Sequence, residues 1–112
     1  MERNIAQRII DAVRPKDKRQ AVPTIRALID EAEIHLENYE RQADDVELRN
    51  PAELLQAKRK ITEAVELSEA FELTVIGERA RELERQALDA LNLWGEQRRR
   101  MLETMLANGE DA

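Results

Sequence analysis

His35 is the single histidine of the chain and the side chain best suited to binding a metal or moving a proton near neutral pH. Glu31 stands one helical turn before it. A zinc or di-iron centre built on helices needs several ligands at helical spacing, and the dicarboxylate bundles take two Glu-x-x-His motifs. Position 32 is Ala32 and no second histidine exists, so His35 reads as a flank or surface residue and no metal is expected. Cysteine is absent, which excludes thiolate metal sites, disulfides and cysteine nucleophiles.

Carboxylates are plentiful, and Asp44 with Asp45 or Glu82 with Glu84 bring pairs together. General acid–base chemistry needs a carboxylate held in an apolar hollow that shifts its pKa, and no acid is marked out in that way. The run Asp44-Asp45-x-Glu47 lacks the glycine and the terminal glutamate spacing of a calcium loop. Three scattered glycines make no phosphate-cradling loop. No catalytic residue and no cofactor are therefore expected, and the chain is read as a non-enzyme.

Two basic clusters remain: Arg14, Lys16, Lys18 and Arg19, and Arg98-Arg99-Arg100. Three consecutive helical arginines fan out over about 200° of the cylinder, so they cannot all face one duplex. Glu96 and Glu103 lie four residues from Arg100 and Arg99, at ion-pairing distance along a helix. The net charge is −6, and nucleic-acid binding is not expected of so acidic a chain. Charge is uneven: residues 1–26 carry seven basic and three acidic groups, residues 27–56 two and nine. The two regions can attract each other within one molecule or between copies.

Leu91, Trp94, Met101, Leu102 and Met105 are the candidate partner-binding residues. Trp and Met recur at protein interfaces, and Met adapts to irregular surfaces. The competing reading makes them ordinary core of a bundle whose only aromatics are Tyr39, Phe71 and Trp94.

Helices must position all of these groups. The chain has 112 residues, 42% apolar and 38% charged, enough apolar side chain for a core of one domain spanning 1–112. Ile5, Ala6, Ile9, Ile10 and Val13 recur at spacings of three and four, predicting a helix over 2–14 that Pro15 ends. Residues 15–23 read as a polar connector between two prolines, with one helical turn inside it as the alternative. Thr24 is placed to cap a second helix over 24–48, along which Ile25, Ile29, Ala32, Leu36, Tyr39, Ala43 and Val46 alternate by four and three. Asn50-Pro51-Ala52-Glu53 starts a third helix over 51–75, striped by Leu54, Ala57, Ile61, Ala64, Ser68, Phe71 and Val75. A fourth, over 78–107, carries Ala80, Leu83, Ala87, Leu91 and Trp94.

The β-branched run Thr74-Val75-Ile76 before Gly77 favours a tight turn near 74–78, with a continuous kinked helix as the alternative. The expected fold is all-α: an antiparallel bundle of about four helices, their unequal lengths leaving apolar stripe to be covered by dimerisation. The first ten residues hold no apolar leader and no stretch approaches the roughly 20 apolar residues of a membrane span. A cytoplasmic protein is the simplest expectation, and the preponderance of Arg over Lys is common in GC-rich bacterial chains.

The expected function follows from these readings. The chain is a small regulatory protein acting by protein–protein contact, a homodimeric helical inhibitor or anti-activator of a larger cytosolic target such as a transcription regulator. The alternative is a structural coiled-coil or chaperone-like subunit of a larger assembly, for example in a phage.

Overall fold

A computed structural model describes residues 15–110, and the helix expected over 2–14 lies outside the described residues. The chain is all-helical over that range: α1 (Lys18–Glu40), a short 3-10 turn (Val46–Leu48), α2 (Ala52–Ala70) and α3 (Thr74–Glu110). Three α-helices, and not four, are present among the described residues.

α1 begins earlier than the sequence suggests. Asp17 is its N-cap, and the carboxylate accepts the Gln20 backbone N–H at 2.9 Å. The Gln20 side chain reaches back to accept the Lys16 N–H at 3.0 Å, a variant of the capping box shifted by one residue. Lys18 and Arg19 therefore sit in a helical turn, not in a loop. Pro23 lies inside the helix, where it leaves the Arg19 carbonyl without its usual donor. Thr24 does not cap; its hydroxyl donates to the Gln20 carbonyl at 3.0 Å. Tertiary burial outweighs the proline, because Ala21 and Ile25 on either side of it are fully buried.

α1 also stops eight residues short of the expected end, at Glu40. Non-local bonds hold the chain out of helix here. The Gln42 amide donates to the Asn50 carbonyl at 3.1 Å and accepts the Asn50 N–H at 2.7 Å, pinning both ends of the connection together. Arg49 Nε donates to the Ala43 carbonyl at 2.7 Å. Asn50 then accepts the Ala52 N–H at 2.9 Å, and α2 starts at Ala52 with Pro51 as its N-cap, one residue later than expected.

α2 ends at Ala70, and the reversal occupies residues 71–73, one turn before the expected position. The Leu73 N–H bonds the Ser68 carbonyl at 2.8 Å and the Glu72 N–H bonds the Glu69 carbonyl at 3.2 Å. These are the two bonds of a Schellman motif, with Glu72 at φ 54° in the left-handed position that glycine usually takes. The motif turns half-buried Leu73 back against the core. Thr74, Val75, Ile76 and Gly77 then form the first turn of α3, so neither the turn at Gly77 nor an unbroken helix from α2 is present.

Gly77 has a packing role instead. A Cβ there would lie 3.1 Å from the Ser68 Cβ, so the missing side chain lets α3 cross closely over α2. A Cβ on Gly95, also inside α3, would meet nothing within 4 Å beyond its own helix backbone.

The core is built from α1 (Ala21, Ile25, Leu28, Ile29, Ala32), α2 (Ala57, Ile61, Ala64, Leu67) and α3 (Ala80, Leu83, Ala87). Half of these are alanine, which allows the helices to approach closely but leaves each one little apolar mass to bury. Successive helices are antiparallel, and ion pairs join their edges: Glu31 to Lys60 at 3.0 Å, Glu33 to Arg79 at 2.6 Å and Glu69 to Arg81 at 3.3 Å. α2 packs along both neighbours, whereas α1 and α3 touch each other far less. The molecule is elongated, 63 × 36 × 20 Å, with a radius of gyration of 18.2 Å against about 13 Å for a compact chain of 100 residues. The 37-residue α3, about 55 Å long, produces this shape.

Candidate interaction surface

α3 keeps one apolar direction for its whole length. Ile76, Ala80, Leu83, Ala87, Trp94 and Met101 fall within about 60° of arc on the helix cylinder, and Met105 continues the line. The first half of that stripe is core. Its middle meets the connection between α1 and α2: the Trp94 indole N–H donates to the Arg49 carbonyl at 2.8 Å, and Arg98 donates to the Glu47 carbonyl at 3.2 Å. Its last part is covered by nothing among the described residues. Residues 102–109 are all exposed, with Leu102, Met105 and Leu106 at 44, 59 and 70%.

The five candidate partner residues are thus split. Leu91 and Trp94 are half-buried where α3 meets the bundle, and Trp94 clamps the 42–50 connection. Met101 is half-buried and shares a shallow hollow with Glu47, while Leu102 and Met105 stand on the overhanging end. Arg49 completes the clamp, its guanidinium 5.0 Å from the centre of the buried Tyr39 ring. Nothing in the sequence pattern singled out Gln42 or Arg49, because their partners lie six to eight residues away in an irregular segment.

Arg99 and Arg100 make no ion pair among the described residues, so the pairings expected with Glu103 and Glu96 are not formed. His35 is half-buried, and its Nδ1 meets the Glu53 carboxylate across the α1–α2 seam at 2.5 Å. That contact makes it a tie between helices. Among the described residues no group of three or more His, Asp or Glu side chains is placed to hold a metal ion, and no helix is long and apolar enough to cross a membrane.

A second feature went unread in the sequence. Between α1 and the start of α3 runs an open groove of about 650 Å³, floored by Val22, Ile29, Leu73 and Ile76 and rimmed by Val75 and Arg79. Val22 falls in the segment expected as a connector and Ile76 in the expected turn, while Val75, expected at the end of the α2 stripe, instead stands 84% exposed in the first turn of α3.

No family model, no curated protein and no solved structure matches this chain.

Proposed function

We propose that this chain is a small, non-enzymatic regulatory protein that acts by protein–protein contact, as a homodimer that binds a larger cytoplasmic protein and inhibits it. The observation that carries the reading is the overhang of α3, where the apolar line of the core runs on through half-buried Met101 to exposed Met105, with exposed Leu102 beside it. Two such overhangs laid side by side give each other an apolar helix face of matching period, as in a coiled-coil seam. Met side chains suit a surface that also accepts a second, different partner.

Light scattering on a size-exclusion column tests the pairing. The wild-type chain is expected at twice the monomer mass, and Leu102→Asp combined with Met105→Asp is expected to run as a monomer with unchanged helicity, since both side chains are exposed. A wild-type monomer at all concentrations would overturn the homodimer. Species that grow with concentration would favour the structural-subunit reading. The inhibitory role is tested on the partner captured from the source lysate: adding the pure chain should lower that partner's activity, and the double variant should not.

A further inference from the structure

The α1–α3 groove lies at the end of the molecule where α1 begins and the α2–α3 reversal sits. Chain outside the described residues enters at this same end, through Pro15, Lys16 and Asp17. We infer that the groove is the seat of the chain's own residues 2–14, which complete the bundle as a fourth helix.

Four observations converge on that occupant. The helix that the sequence predicts over 2–14 leaves three residues, Pro15 to Asp17, before α1, a length that joins antiparallel helices lying side by side. Thirteen residues make a helix of about 20 Å, and the groove follows α1 from Val22 to Glu33, a rise of about 17 Å. The segment is amphipathic, with Ile5, Ile9 and Val13 at the centre of one face and Asn4, Gln7, Arg8, Asp11 and Arg14 opposite. Finally, up-and-down connectivity leaves one position for a helix preceding α1, the seam between α1 and α3, and that seam is the one left open. The groove offers apolar side chains to an apolar face: Val22, Ile29 and Ile76 to Ile5, Ile9 and Val13.

The inference does not depend on the overhang of α3, which lies at the opposite end of the molecule. Because the described chain holds no cysteine, introduced pairs report cleanly. Ile9→Cys is combined in turn with Val22→Cys, Val75→Cys and Ile76→Cys, with Leu106→Cys as the distant control, and the full chain is oxidised. At least one groove pair is expected to close within a single chain, while the control stays open. Closure only between two chains would overturn the intramolecular seat in favour of an exchanged one; no closure in any pair would overturn the site. Hydrogen exchange on the unsubstituted chain provides the second readout. Amides of residues 5–13 are expected to exchange at least about tenfold more slowly than an unstructured peptide, and Val75→Arg, at a rim position 84% exposed, is expected to remove that protection while α1–α3 stay helical. Unprotected amides in the unsubstituted chain would sink the proposal whatever the cysteine pairs do.

Discussion

The indole of Trp94 and the backbone carbonyl of Arg49 meet at 2.8 Å, and the same Arg49 lays its guanidinium over the Tyr39 ring. One loop residue thereby joins the middle of α3 to the end of α1, two elements that otherwise touch little. The contact decides how substitutions at Trp94 must be read: they act on the fold before they act on any partner.

Trp94→Phe keeps most of the apolar contact and removes the donor, so a loss of about 1 kcal/mol is expected in urea unfolding. Trp94→Ala also removes the ring, and about 2–4 kcal/mol should go with it. Equal losses for the two would mean that the hydrogen bond carries the whole effect.

The two glycines inside α3 should respond in opposite ways. Gly95→Ala meets open space and is expected to raise stability by about 0.5–1 kcal/mol through helix propensity. Gly77→Ala gains the same propensity but sets a methyl 3.1 Å from the Ser68 Cβ, so no gain and a loss of up to about 1 kcal/mol is expected. Thermal unfolding of the pair side by side checks the contrast.

Glu72 holds a left-handed backbone with a side chain that disfavours it. Glu72→Gly relieves that strain at the cost of a freer unfolded chain, and a net gain of about 0.5–1 kcal/mol is expected from the denaturation midpoint. A loss would show that the Glu72 side chain makes a contact worth more than the strain.

Much of the architecture was legible because it is written locally. Leu54, Ala57, Ile61, Ala64 and Ser68 alternate by three and four and all are buried, and Asn50-Pro51 opens α2 where the capping chemistry puts it. The boundaries that were misread depend on distant partners or on residues acting against type. Pro23 usually ends or begins a helix, and here the burial of Ala21 and Ile25 carries α1 through it. Val46 continues the heptad in sequence, yet the bonds from Gln42 to Asn50 take that stretch out of the helix. The α2–α3 reversal uses Glu72 where glycine is the usual choice, and the glycine four residues beyond the reversal serves close packing. At the candidate surface, Leu102 and Met105 were identifiable from type and period, but the half-burial of Trp94 follows from the loop that covers it.

Pro23 supplies a further check on that account. Pro23→Ala restores the missing donor to the Arg19 carbonyl at an exposed position, and a gain of about 1–3 kcal/mol is expected. A neutral result in chemical denaturation would mean that the first turns of α1 fray independently of the rest.

Trp94 and Tyr39 are the chain's sole tryptophan and sole tyrosine, and Arg49 brings them to the two sides of one connection. Intrinsic fluorescence of this protein is therefore a local gauge. Energy transfer from Tyr39 and the emission wavelength of Trp94 report whether the 42–50 segment is seated on α3, and both are silent about the groove at the far end. A binding partner that shifts the emission must reach or loosen that clamp, whereas one that binds without a spectral change has docked elsewhere.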